Sequence, residues 1–401
     1  VPSPSTGAGL APSSLASPPD AEQAATRVRS PVAPFVIPAP SIEAGAWTGL
    51  RWRRLAPDDP LGLVATVVSS RGGAVAIGWV DSPTGPMTPV WTSRDLVHWE
   101  PLPFGTATTF WPDALVLGLV EHDGDFVAIT EQAGASCPVC APLVPPVVAW
   151  TSTDGRAWTP HTLPPGGVPG PAGTAPLVAV GPAGILLAST GTGHRLALSP
   201  DGATWRLEPA DALPVGFALQ AITGTSSGYV AAGRLATPAG GRAAVFTSRD
   251  GRSWSVAVPF PTPRDLAASV GTALDAILGG TDGLVLVGHT VSSPGATLWW
   301  RSTDGLDWTP VPDFAPLVGP TALGGGPMHP AGWLVDDGRR LLAIRGGPAG
   351  AAWLSLDGAH WTHLVMSGDL PAARAAGAVL LPDGVLLSDG ATCWYGEAVV
   401  R

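Results

Sequence analysis

Ser302-Thr303-Asp304-Gly305-Leu306-Asp307-Trp308 decides the fold, because it does not stand alone. The same order of Ser-x-Asp, short turn and Trp runs from Ser93-Arg94-Asp95 to Trp99, from Ser152-Thr153-Asp154-Gly155 to Trp158 and from Ser199-Pro200-Asp201-Gly202 to Trp205. It returns from Ser248-Arg249-Asp250-Gly251 to Trp254 and from Ser355-Leu356-Asp357-Gly358 to Trp361. Five of the six place Gly directly after Asp, and the first has Leu96. Successive aspartates lie 59, 47, 49, 54 and 53 positions apart, a spacing that marks a repeat architecture.

A second series lies between these segments. Glycine turns joining two apolar runs occur at Gly73, Gly124, Gly184, Gly228, Gly283, Gly338 and Gly384. Several are Asp-Gly pairs, a short-range hairpin signal because Gly accepts positive φ. Seven hairpins against six Ser-x-Asp segments is a mismatch, and the two ends of the chain explain it. The last repeat has Ala378-Val379-Leu380-Leu381, a turn at Asp383-Gly384, Val385-Leu386-Leu387 and Thr392-Cys393-Trp394-Tyr395, then stops one strand short. Leu50-Arg51-Trp52-Arg53-Arg54-Leu55 resembles a fourth strand with no first three before it. Placing residues 49–55 beside the last repeat completes it and protects edges that would otherwise template aggregation. Residues 49–401 then make seven units of about 50 residues, enough for four short strands each.

The Ser-x-Asp-Gly-x-x-Trp segments resemble the Asp-box, or BNR repeat, of sialidase-like β-propellers, one residue shorter than the usual Ser-x-Asp-x-Gly-x-Thr-Trp. The resemblance covers residues 49–401. It implies an all-β, seven-bladed β-propeller of four-stranded antiparallel blades, in which each box closes the hairpin between third and fourth strands. In such a turn the carboxylates of Asp95, Asp154, Asp201, Asp250, Asp304 and Asp357 accept backbone N–H groups, Ser adds a hydrogen bond and Gly supplies the left-handed residue. Trp99, Trp158, Trp205, Trp254, Trp308 and Trp361 then cover the hairpins. A second aromatic series, Trp91, Trp150, Phe246, Trp300, Trp353 and Trp394, is expected to pack between blades. All these residues are read as scaffold.

Composition narrows the function. Lys+Arg 21 against Asp+Glu 31 gives a formal charge of −10, with 13% of the chain charged and 45% hydrophobic. Disordered acidic chains are far more charged and less apolar, and nucleic-acid binders need a basic surface. No apolar run reaches the ~20 residues of a membrane-spanning helix. There is no Lys and no Asn, so no N-glycosylation sequon exists. The chain starts at Val1 with a Pro/Ser-rich segment, from which we expect an exported protein with a processed N-terminus, extracellular or at the cell surface.

Residues 1–46 are an extended arm or linker of Pro, Ser, Ala and Gly, set apart from the propeller at 47–401. Within the arm, Phe35-Val36-Ile37 form an apolar cluster between prolines that a solvated linker does not need, which suggests an assembly arm; a tether or glycosylated stalk is the plainer alternative.

No catalytic constellation carries over from sialidases, which need an arginine triad, a Tyr nucleophile with a Glu partner and an acid/base Asp. There is no Arg-Ile-Pro segment, and the only tyrosines are Tyr229 and Tyr395. The connections between second and third strands vary in length, and variable loops on a rigid scaffold are where binding sits. Polar candidates there are Asp81, Asp113, His194, Arg195, Arg234, Arg264, Asp265, His329 and Arg374. Cys137-Pro138-Val139-Cys140 reads as a loop disulfide: no His follows for heme attachment, and Cys393, read as a core thiol, is the only other thiol. We expect no cofactor and no metal. The sequence thus reads as a non-catalytic, exported propeller that mediates interaction or self-assembly, with copies of itself or another surface protein as partner. A glycan- or protein-binding module on the variable-loop face and a sialidase-like hydrolase are the alternatives.

Overall fold

The computed structural model describes residues 46–55, 64–70, 73–78, 80–82, 85–87, 89–94, 99–102, 114–132, 147–164, 168, 176–191, 193–238, 240–257, 272–280, 283–290, 297–311, 333–337, 339–345, 350–369, 377–388 and 393–400. The chain divides into Val1–Pro34 and Phe35–Arg401, and every described residue belongs to the second part. Phe35, Val36, Ile37, Asp95, Cys137 and Cys140 lie outside the described residues, as do Asp113, Arg264, Asp265, His329 and Arg374.

The described residues are all-β, without a helix, and form four-stranded antiparallel sheets of the kind that make propeller blades. Among the described residues five such sheets are separate and one eight-stranded sheet holds two further four-stranded modules, so seven modules follow one another. Their first strands are Val64–Ser70, Ala114–His122, Leu177–Gly181, Phe217–Thr225, Thr272–Gly280, Trp333–Asp336 and Gly377–Leu381. Their second strands are Gly73–Gly78, Asp125–Gln132, Gly184–Ala188, Gly228–Thr237, Gly283–Thr290, Leu341–Arg345 and Gly384–Ser388. First strands touch in the order of the modules, and that of module seven returns to that of module one.

The second strands explain the stacking. Gly73–Gly78 and Gly184–Ala188 are buried at every position, the signature of a strand covered on both faces. Because side chains alternate across a strand, each second strand feeds two cores. Ile185 and Leu187 join the cluster with Val127 and Ile129 of module two, while Leu186 and Ala188 join the one with Tyr229 and Ala231 of module four. Leu341 and Ala343 face Val285 and Val287, whereas Leu342 and Ile344 face Val385 and Leu387. Ala74 and Ala76 pack with Leu386, so one cluster joins module one to module seven. The aromatic series before the serines lies in these shared clusters: Trp91, Trp150, Phe246, Trp300 and Trp394 are buried in them and Trp353 is half-buried.

The fourth strand of module seven is Trp47–Arg54, antiparallel to Cys393–Val400 with Leu50 opposite Ala398 and Arg53 opposite Tyr395. It starts two residues earlier than the sequence pattern indicates. It also has an unforeseen second partner: it runs parallel to Thr362–Gly368, with Gly49 opposite Val365 and Arg51 opposite Ser367, so modules six and seven share one eight-stranded sheet. Both edges of this strand are therefore paired. Trp47, Leu50 and Trp52 sink into the core between the two modules.

Candidate functional site

The Ser-x-Asp turns repeat one geometry. In module five, Oδ1 of Asp304 accepts the amides of Leu306 at 2.8 Å and Asp307 at 3.1 Å, and the Ser302 hydroxyl at 3.0 Å. Asp154, Asp201, Asp250 and Asp357 take the same two amides and the same serine. Amides of Ser253 and Arg252 hold Asp250 down at about 2. Burial by itself would raise Asp357, but the amide and ring of His360, the Ala359 amide and Ser355 outweigh it, and the carboxyl sits well below its usual range. Carboxylates held ionised by three local donors serve a turn; a general acid needs the opposite shift. His360 is a turn residue here, with Nδ1 2.6 Å from Asp357 Oδ2, because the fourth strand begins only at Thr362.

Two features of these turns escape the sequence reading. Each indole N–H donates to the carbonyl of the turn's glycine: Trp158 to Gly155, Trp205 to Gly202, Trp254 to Gly251, Trp308 to Gly305 and Trp361 to Gly358, at 2.8–3.3 Å. The available signal was that a buried indole N–H needs a partner. Each glycine also sits against the preceding module. A Cβ on Gly202, where φ is +73°, would lie 2.6 Å from Val127 Cγ2, and one on Gly305 2.7 Å from Val230 Cγ2.

Neither tyrosine is poised as a nucleophile. Tyr229 is buried, donates to the Gly184 carbonyl at 2.7 Å and is pushed up to about 12 by burial. Burial and Asp383 also raise Tyr395, whose ring lies 5.3 Å from the Arg53 guanidinium.

At the opposite end of the modules, the structure places three candidates with described side chains. His194 is buried, its Nδ1 3.2 Å from the Phe217 carbonyl, and Nε2 has no hydrogen-bond partner among the described residues. Arg195 is exposed beside it, and its amide donates to Ser189 Oγ. Arg234 does not join them. Tyr229 and Ala231 of its strand face module three, and Val230 and Ala232 face module five, so alternation turns Arg234 toward module five. Val215, in the connection from module three to four, is 92% exposed. Asp81 lies in a short strand, Val80–Ser82, paired with Gly85–Met87.

The structure also brings together residues not singled out in the sequence. Asp275 Oδ2 lies 2.8 Å from His289 Nδ1, and Gln220 Oε1 accepts the Leu274 amide at 3.3 Å. Asp275 is the extra residue of a bulge between Leu274 and Ala276. Bulges depend on pairing with a partner strand, so no local signal reveals one.

A third feature is an open trough on the outer face of the shared sheet. Ala46 just before the closing strand, Thr48, Gly49 and Arg51 on it, and His363 and Val365 from module six line it, and its volume is ≈ 760 Å³. Gly49 forms part of its floor, where a Cβ would lie 2.6 Å from the Val365 carbonyl oxygen, and Val365 is 66% exposed. The His363 ring meets Trp353 edge-on at 5.6 Å.

No family model and no curated protein matches the chain. Among solved structures, a polysaccharide lyase of the PL25 ulvan lyase family bound to its oligosaccharide aligns with a TM-score of 0.46 at 12% identity, covering 87% of this chain and 96% of that one. A six-bladed fucose-binding lectin from Aleuria aurantia aligns at 0.36 and 12%, covering 84% and 99%. A glycosyl hydrolase from Bacteroides ovatus aligns at 0.29 and 14%, covering 63% and 87%. Superpositions this loose transfer neither residues nor activity.

Proposed function

We propose that the seven modules close into a seven-bladed β-propeller of the Asp-box kind, sealed by Trp47–Arg54, and that the protein is an exported, non-catalytic interaction module that associates with copies of itself. The trough carries this reading. Ala46, the first described residue, lines the trough, and the trough presents an exposed valine where a solvated sheet face would be polar. The occupant we assign is Phe35-Val36-Ile37 of a second copy, an uncharged apolar segment flanked by prolines. The nine residue steps from Ile37 to Ala46 can span at most about 30 Å, sufficient to offer the segment to a neighbour.

Light scattering across a concentration series tests this on the full chain, on a chain lacking residues 1–45 and on Val365→Glu. Concentration-dependent association of the full chain, lost in both variants, is expected. A full chain that stays monomeric throughout rejects the reading, as does one whose segment merely protects its own trough.

A second reading, a glycan- or protein-binding module, draws on Val215, exposed two residues before Phe217, whose carbonyl meets Nδ1 of the buried His194, and on the His194 Nε2, which has no partner among the described residues. Exposed apolar side chains next to unpaired polar atoms are what a ligand covers. Retention of glycans or proteins by residues 46–401, abolished in Val215→Asp, would favour it.

A further inference from the structure

We propose that Arg206, Glu208 and Arg252 form a binding site for a carboxylate on the boundary between modules three and four. The site depends on neither the arm nor its trough.

The three side chains meet at one oxygen atom. Glu208 Oε1 accepts Arg206 Nη2 at 2.7 Å and Nε at 3.2 Å, and Arg252 Nε stands 3.5 Å from the same oxygen. The Glu208 side chain is 3% exposed, while those of Arg206 and Arg252 are 55% and 49% exposed. Both sides are anchored through the backbone. The Glu208 amide donates to the Leu196 carbonyl at 2.9 Å, which ties it to module three. The Arg252 amide donates to Asp250 Oδ1 at 2.9 Å in the turn of module four. A buried carboxylate therefore holds two guanidinium groups side by side across the boundary, with half of each open to solvent. Among the described residues neither guanidinium has a second partner.

Modules one and two show what a bridge between modules requires. There Arg156 follows the turn glycine, as Arg252 does, and pairs with Glu100 on the fourth strand of module one, Trp99–Pro101. One cation meets one anion, and that glutamate is 68% exposed. Each bridge has a turn aspartate beside its arginine, Asp154 in one and Asp250 in the other. The difference is Arg206 on the fourth strand of module three, Arg206–Leu207. It buries the glutamate between two arginines and leaves one positive charge over.

That surplus selects the ligand. A metal cation would meet two arginines. A phosphate monoester carries close to two negative charges at neutral pH, against one in excess. A hydroxyl leaves the surplus unbalanced. A single carboxylate balances it, and its planar pair of oxygens matches the fork of N–H groups that a guanidinium presents. The carboxylate can come from a uronic acid or from an acidic side chain.

The test follows the Nε–Hε resonances of Arg206, Arg252 and Arg156 in the full chain, at fixed ionic strength. The probes are glucuronate, N-acetylglutamate α-amide and the neutral methyl glucoside. At least one carboxylate should move Arg206 and Arg252 saturably while Arg156 stays in place, and the tighter of the two identifies the source. Methyl glucoside should move none of them. Arg206→Gln and Arg252→Gln should each weaken binding by about tenfold or more, the loss of a charge-assisted hydrogen bond. Arg252→Lys, which keeps the charge and loses the fork, should bind several-fold more weakly than wild type. Near-UV circular dichroism establishes that each variant is folded, and either glutamine variant suffices for the test. No response to either carboxylate, an equal response at Arg156, or wild-type affinity in a folded glutamine variant overturns the proposal.

Discussion

The Arg340 guanidinium lies 4.5 Å from the ring of Trp47, joining the hairpin of module six to the strand that completes module seven. Arg340 is buried, pairs with Asp337 Oδ2 through Nη2 at 2.6 Å and donates to the Leu381 carbonyl at 2.9 Å. One side chain thus ties residues 47, 337, 340 and 381 across two modules.

Arg340→Met should preserve the stem packing and lose the guanidinium's polar ties, leaving the partly buried Asp337 with only the amides of residues 339 and 340. Removing one member of a buried pair costs about 3–5 kcal/mol, and partial exposure of Asp337 puts the expectation near the lower end. Urea unfolding followed by tryptophan fluorescence measures it. A midpoint equal to wild type would mean that Arg340 does not brace the closing strand.

Trp52→Ala should be more damaging. Trp52 is buried, and its ring lies 3.0 Å from where a Cβ on Gly396 would stand. Aromatic-to-alanine changes in a core cost about 3–5 kcal/mol. Calorimetry should show a lower melting temperature; an unchanged one would contradict the role of residues 47–54 in completing module seven.

Gly202→Ala separates strain from collision. Positive φ alone costs an alanine roughly 1 kcal/mol, and overlap with Val127 adds about 1–3 kcal/mol. In a Val127→Ala background only the first cost should remain. Equal costs in both backgrounds would show that the glycine is needed for its backbone angle alone.

Acid should weaken the protein through its turns. Asp250 is depressed in the folded state, to about 2, against about 3.9 for a free aspartate. A depressed pKa contributes stability that is fully present above the unfolded value and is lost as pH falls through the folded one. Asp154, Asp201, Asp304 and Asp357 are shifted the same way. Stability should therefore fall between about pH 4 and pH 2, and Asp250→Asn should flatten part of that slope. An identical acid profile in the variant would count against the role of this turn.

The turn chemistry was open to reading because it is local. Ser302, Asp304, Gly305 and Trp308 lie within seven residues, so donors, acceptors and the left-handed residue can be matched from spacing alone. Asp275 and His289 stand fourteen residues apart and meet only because a bulge re-aims Asp275. Among the variable-loop candidates, the structure seats His194 and Arg195 together and turns Arg234 to the other face of its sheet.

By itself the sequence determined the strands, the hairpins and the incomplete last repeat, since alternation, turn residues and repeat length are properties of short stretches of chain. Only the tertiary structure decided which surfaces those strands share. The parallel pairing of Trp47–Arg54 with Thr362–Gly368, the seating of Gly202 on Val127 and the reach of Arg340 to Leu381 each join residues from different repeats. Such contacts depend on how one module is rotated and set in register against the next. That is a balance of packing over whole faces, which no spacing within a single repeat records.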